Sequence, residues 1–152
     1  MKITTEIRCA LDDLVAGYAL AVDSRDFTAA AALFTMDAEL LLPDPPRNLD
    51  PSQSHRGRAA IATALSAVGN VERTLHVLGG QVYRAGDTPD MVTGHIAGTA
   101  HHLISGAEGH RDLVWQLRYQ DTYRHVDDGW LIARRTLTIQ WIETRPVRVA
   151  RP

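Results

Sequence analysis

The order of patterns along the chain predicts an α+β domain, a strongly curved antiparallel sheet closed by N-terminal helices into a cone-shaped barrel. Three observations carry that prediction. Helix-period apolar residues dominate the first third, four long strand-like segments follow with no helix between them, and each is too long to lie flat. Strands alternating with helices would instead have indicated a doubly wound parallel sheet.

Each element follows from its residues. Ile7, Leu11, Leu14, Val15, Tyr18 and Val22 recur at three- and four-residue steps, one face of an amphipathic helix with Thr4 or Thr5 as N-cap. Asp23 ends that face. "SRDFTAAAALF" begins a second, alanine-rich helix whose first free amides Asp26 or Ser24 can satisfy. "AELLL" (38–42) reads as a short strand. The following "PDPPRNLDPSQSHRG" holds four prolines in fifteen residues and is expected to be irregular. It is a lid candidate, or else a tolerated insertion.

"RAAIATALSAV" predicts a third helix with Ile61, Leu65 and Val68 on one side. "TLHVLGGQVYR", "MVTGHIAGTAHHLI", "RDLVWQLRYQDTYRHV" and "WLIARRTLTIQWIE" are the long strands, the last two joined by a "DDG" hairpin turn. The glycine pair 79–80 and Gly94 and Gly98 fit bends or close backbone approach. A single domain over 1–143 and a loose basic tail over 144–152 are expected. A clasp on a partner subunit is the alternative for the tail.

Composition narrows the partners. With 152 residues, 45% hydrophobic, 22% charged and a formal net charge of −2, the chain has no charge bias toward nucleic acid or an anionic membrane. Cys9 is the only cysteine, which excludes an intrachain disulfide and a cysteine-rich metal site. The opening "MKITTEIRCALDDL" resembles neither a signal peptide nor a membrane span, so a cytoplasmic protein is the default expectation. Adjacent histidines in "HH" splay to opposite faces of a strand, and no other spacing supports a metal site.

The sequence as a whole resembles a known family. "YALAVDSRDF", "ALFTMDAEL", "GRAAI", "RTLHVLGGQV", "YQDTYRHVDDGWLIARR" and "IQW" occur in the order and spacing of the SnoaL-like branch of the nuclear-transport-factor-two-like (cystatin-like) superfamily. The resemblance covers about Ile7 to Trp141 and is strongest to its lyases, scytalone dehydratase and hexachlorocyclohexane dehydrochlorinase. It implies one deep pocket, no cofactor, a small-molecule substrate, and a homodimer or higher homo-oligomer formed through the convex sheet face. Exposed Trp130 or Trp141 would serve that contact, though both could be core.

The same resemblance assigns roles. Asp23 and His76 fall on the lyase carboxylate and histidine, and His101 on the second histidine of the dehydratase, which leaves His102 pointing outward. Val22 and Leu42 stand where the dehydratase has water-holding tyrosines, and Leu117 and Tyr119 where it has a pocket serine and asparagine. A more apolar cavity is implied, and scytalone itself is not the expected substrate. In such a cavity Asp23 would fix the tautomer of His76, whose other nitrogen would take a proton from carbon. The competing readings are a helix terminator or Arg25 partner for Asp23, and a core histidine for His76. Asp26 reads as a cap.

Further candidates share the strand faces. Thr93, His95, Thr99 and His101 lie on one face of their strand, which is either solvated or lines the pocket. Tyr18, Leu42, Leu117, Tyr119 and Asp121 are candidate substrate contacts. Asp121 is solvated near the mouth, paired, or a raised-pKa acid or base as in cyclases. One of Arg134 and Arg135 is expected to enter the interior and neutralise a carboxylate. The activity implied is a cofactor-independent lyase on a small apolar cyclic substrate. A polyketide cyclase or isomerase in the same pocket and a non-catalytic ligand-binding or dimerisation module are the alternatives.

Overall fold

Thr4 starts the first helix by accepting a hydrogen bond from the Ile7 amide at 3.3 Å, and α1 then runs over Thr5–Asp23. The computed structural model describes residues 2–127 and 129–149. Leu11, Leu14, Val15, Tyr18 and Val22 are buried along one face of α1, and Ile7 is partly buried against them. Each such aliphatic side chain contributes roughly 1.5–3 kcal/mol relative to exposure. Asp26 caps α2 (Phe27–Ala32), accepting from the Ala29 amide at 2.9 Å.

The strands are β1 (Phe34–Asp44), β2 (Asn48–Arg56), β3 (Arg73–Ala85), β4 (Met91–Gly106), β5 (Gly109–Val126) and β6 (Gly129–Val147). Helix α3 (Gly57–Ser66) and a 3-10 turn at 67–70 separate β2 from β3. The six strands form one sheet in the order β2-β1-β6-β5-β4-β3. Every pairing is antiparallel except β1 with β6, which is parallel. Helix α1 packs on β3 and β6, and α3 on β1 and β2, so the helices cover one face of the sheet.

Bulges supply the curvature. Leu78 faces Gly98 and Gln81 faces Ile96, so Gly79 and Gly80 together oppose Ala97 alone. A side chain on Gly79 would meet the Ala97 carbonyl oxygen at 3.2 Å, which is why glycine sits there. Gly94 has a different reason. A Cβ at that position would stand 2.7 Å from the ring of Tyr123, which is fully buried.

Two expectations about irregular chain are corrected. The proline-rich segment 43–57 is mostly the end of β1 and the edge strand β2, not a loop. Its prolines are tolerated because β2 has a free edge, and because the β1–β2 register breaks between Leu42 and Asp44. Residues 144–147, expected in a loose tail, continue β6 and pair with residues 110–113 of β5. The two-residue hairpin between Val126 and Gly129 has Asp127 at φ 50°, while its second residue, Asp128, lies outside the described residues, as do residues 150–152.

Among the described residues, one ion pair is fully buried in the core. Arg135 enters the interior and Arg134 stays outside, where it pairs with Glu39 at 3.3 Å. The Arg135 guanidinium donates to both Asp121 oxygens, from Nε at 2.9 Å and Nη2 at 2.6 Å, and the Tyr123 hydroxyl donates to Asp121 Oδ2 at 2.6 Å. Both charged side chains are fully buried. The guanidinium carbon lies 4.3 Å from the ring centroids of both Tyr18 and Tyr119, so two aromatic faces sandwich the cation. Removing one partner of such a pair leaves a bare buried charge, so Asp121→Ala is expected to cost about 3–5 kcal/mol in urea unfolding. The double variant Asp121→Leu/Arg135→Met should recover most of that loss.

Candidate active site

Asp23, the last residue of α1, and His76, the fourth residue of β3, meet across 53 positions. His76 Nδ1 lies 2.7 Å from Asp23 Oδ1, and the His76 backbone amide donates to Oδ2 at 2.8 Å. Thr74, two residues earlier on the same strand face, donates its hydroxyl to Oδ1 at 2.9 Å. Burial pushes the Asp23 carboxyl up, but the hydrogen bonds from the His76 ring, its backbone amide and Thr74 outweigh burial and hold it below its ordinary value. An ionised carboxylate only accepts, so Nδ1 carries a proton, and in the neutral ring Nε2 is the nitrogen with the lone pair.

His76 lines a cavity of about 430 Å³ between the sheet and the helices. Tyr18, Val22, Leu42, Leu65, Ala100, Leu113, Trp115, Leu117, Tyr119 and Leu137 make a mainly apolar wall. Polar groups concentrate on β1, β2 and α3, where Asp44, Gln53, His55 and Thr63 also line it. The candidate contacts Tyr18, Leu42, Leu117 and Tyr119 are therefore wall residues. Burial raises the pKa of both tyrosines, so each phenol keeps its proton and remains a donor.

Two candidates are not. Asp121 does not line the cavity, since its oxygens are taken by Arg135 and Tyr123 in the ion pair beneath Tyr18 and Tyr119. His101 faces the outer side of the sheet, where its Nδ1 lies 2.7 Å from Asp112 and Arg145 reaches the same carboxylate at 3.6 Å. The cavity imidazole is its neighbour, His102, on the same face as the buried Ile96 and Ala100.

Strand parity contained that signal. Val92, Ile96, Ala100 and His102 are all even-numbered on a period-two strand, and the transferred family position was one residue out of phase. His102 Nδ1 lies 3.0 Å from the Leu113 carbonyl oxygen, so it carries the proton and Nε2 is the free lone pair. Burial lowers its pKa more than that hydrogen bond raises it, which keeps the ring neutral. Its ring also packs against Trp115, with centroids 4.3 Å apart. His55 and Gln53 were missed because β2 carries no apolar alternation to mark it as a strand.

Outside the cavity, Trp141 is 58% exposed on the outer face of the sheet, whereas Trp130 packs partly into the core. Among the described residues no helix is long and apolar enough to cross a membrane. Nor do three or more His, Cys, Asp or Glu side chains converge among them as a metal site requires.

Comparison with solved structures places this architecture among known relatives. A protein of unknown function from Mycobacterium tuberculosis is 25% identical over 90% of this chain and 78% of its own, with a TM-score of 0.73. A protein from Novosphingobium aromaticivorans, provisionally assigned as a scytalone dehydratase, is 24% identical over 97% and 92%, with a TM-score of 0.76. A hexachlorocyclohexane dehydrochlorinase from Novosphingobium barchaimii is 17% identical over 95% and 94%, with a TM-score of 0.75. At these last two identities the likeness shows the fold alone. No curated protein matches the chain. The SnoaL-like domain model matches residues 4–136, nearly the whole of the sheet and all of its helices, and the chain belongs to the SnoaL-like family.

Proposed function

We propose that this protein is a cofactor-independent lyase that removes a carbon-bound proton from a small, largely apolar cyclic molecule and expels water or another leaving group. The observation that carries the reading is the 2.7 Å contact between Asp23 and His76 at the wall of an apolar cavity. His76 Nε2 is the base. Asp23 holds the ring in the tautomer that frees Nε2, and it stabilises the imidazolium that forms on proton transfer. The imidazolium then returns the proton to the departing group, so the ring ends the cycle neutral.

The cavity suits this chemistry. Apolar walls exclude water that would otherwise protonate a carbanion-like intermediate, and the Tyr18 and Tyr119 phenols are donors for a developing oxyanion. His102, neutral and Nδ1-protonated, offers Nε2 to a substrate hydroxyl. Its presence also favours a second reading, isomerisation, because a proton taken by one ring can be delivered to another carbon. Aldol-type cyclisation with Asp121 as base loses its support, since that carboxylate is buried in an ion pair away from the cavity. The apolar character of the substrate is drawn from the cavity wall, whereas its cyclic nature and the elimination are drawn from the resemblance to the dehydratase and dehydrochlorinase.

Turnover is expected on a panel of small cyclic hydroxy ketones and halogenated rings, read by mass spectrometry. Elimination lowers product mass by water or hydrogen halide, whereas isomerisation leaves it unchanged. His76→Ala and Asp23→Asn should each reduce turnover by about 10²–10⁴-fold with the circular dichroism spectrum retained. Unchanged ligand handling in both variants would instead identify a non-catalytic binding module.

A pH test follows from the carboxylate. Because folding depresses the Asp23 pKa, its stabilising contribution is complete above the unfolded value near ~4 and is lost as pH falls through the folded one. The stability gap between the native protein and Asp23→Asn should therefore close on acidification, as measured by urea unfolding at a series of pH values.

A further inference from the structure

We propose that Arg25 is a positioning residue for the Asp23–His76 pair and that it acts through the hydroxyl of Thr74. The functional meaning of this relay rests on the reading of His76 as a base, whereas the relay itself is a matter of hydrogen-bond geometry.

Arg25 follows α1 in a left-handed conformation, φ 63°, which is uncommon for a residue with a side chain and carries backbone strain. The turn is held by Arg25 N donating to the Val22 carbonyl at 3.0 Å and Asp26 N to the Ala21 carbonyl at 2.9 Å. It carries the side chain from the end of the helix across to β3. There Nη1 donates to Thr74 Oγ1 at 2.8 Å and Nη2 to the Val71 carbonyl at 3.0 Å. Glycine would occupy this backbone position without strain, so the position holds an arginine against its local preference.

The donor count fixes the direction of the relay. A guanidinium has no acceptor, so Thr74 Oγ1 must accept from Arg25. Its single hydroxyl proton then points to Asp23 Oδ1, 2.9 Å away. Without Arg25 the hydroxyl is a free rotor that can turn from the carboxylate. Among the described residues no Arg25–Asp23 ion pair occurs within 4.0 Å, although the two residues are only two apart. That indirectness has a consequence. A guanidinium docked on the carboxylate would compete with His76 for it, whereas a hydroxyl relay adds one more donor and leaves Oδ1 in contact with Nδ1. The carboxylate therefore accepts three bonds, from the His76 ring, the His76 amide and Thr74, and stays a poor proton acceptor beside the imidazolium.

The test needs no substrate. The hydrogen-bonded Nδ1–H resonance of His76 is assigned by its disappearance in His76→Gln and then followed in Arg25→Gly, Thr74→Val and the double variant. Loss of the Thr74 donor concentrates the basicity of Asp23 on the ring, so both single variants should move the resonance downfield. The double variant should coincide with Thr74→Val alone. An Arg25→Gly spectrum identical to the native one, or shifts that add in the double variant, would overturn the relay.

The ¹³Cγ titration of Asp23 is the second readout. Its midpoint should rise in both single variants by the same route, and no rise in Arg25→Gly would again overturn the relay. Arg25→Asn, which tolerates the left-handed backbone but is too short to reach Thr74, replaces Arg25→Gly if thermal melting shows that variant unfolded. Failure of the relay leaves the turnover tests of the base pair untouched, and absence of turnover leaves the relay untouched.

Discussion

Asp121 and Arg135 carry opposite charges at neighbouring positions on β5 and β6, with no solvent on either. Charges are kept there only where partners offset the lost hydration, so the pair constrains whatever surrounds it, although among the described residues Arg135 Nη1 has no hydrogen-bond partner. Tyr18 reaches it from α1 and Tyr119 from β5, and the two rings stack on the cation. A helix is thereby registered against the sheet at one point. Asp23 lies five residues beyond Tyr18, roughly 7.5 Å along the helix axis, and this sets how far the carboxylate reaches toward β3. The same two rings form part of the cavity wall, so the ion pair is also the layer beneath the pocket.

The cavity is bounded by elements of different character. Apart from His76 and His102, the residues of β3 to β6 that line it are mainly apolar, whereas the β1–β2 hairpin and α3 bring Asp44, Gln53, His55 and Thr63. A ligand that meets this distribution presents a hydrophobic ring inward and tolerates polar substituents toward the hairpin. Three imidazoles stand in this wall, and in two of them, His76 and His102, Nδ1 is committed, one to a carboxylate and one to a carbonyl. Both rings therefore turn Nε2 free, but only His76 has an anion behind it. That asymmetry separates a base from a hydrogen-bond acceptor, and it is the physical content of the assignment proposed for the pair.

The outer face of the sheet follows a different rule. His101, Asp112 and Arg145 form a polar cluster there, similar in composition to the inner pair, with the imidazole more exposed than His76 but the carboxylate as buried as Asp23. An imidazole–carboxylate contact of 2.7 Å occurs on both faces, so distance alone does not mark a site. The cavity in front of the ring does. Leu75, Val77 and Trp141 are also exposed on the molecule, each by about half or more.

Local periodicity was sufficient for much of this molecule. The apolar stripe from Ile7 to Val22, the cap at Asp26, the glycine pair at the bulge and the four long strands are all short-range consequences of residue type, and each could be read in sequence. The contact of Asp23 with His76 was legible only through family likeness, because nothing local links a helix terminus to a strand 53 residues away. Strand parity grouped His102 with Val92, Ile96 and Ala100, but tertiary structure alone decided that this face turns to the cavity, that Asp121 is spent on Arg135, and that a proline-rich polar segment becomes an edge strand. Those outcomes depend on which side of a strand the helices cover and on which neighbour completes a hydrogen bond, and neither is encoded within a single segment.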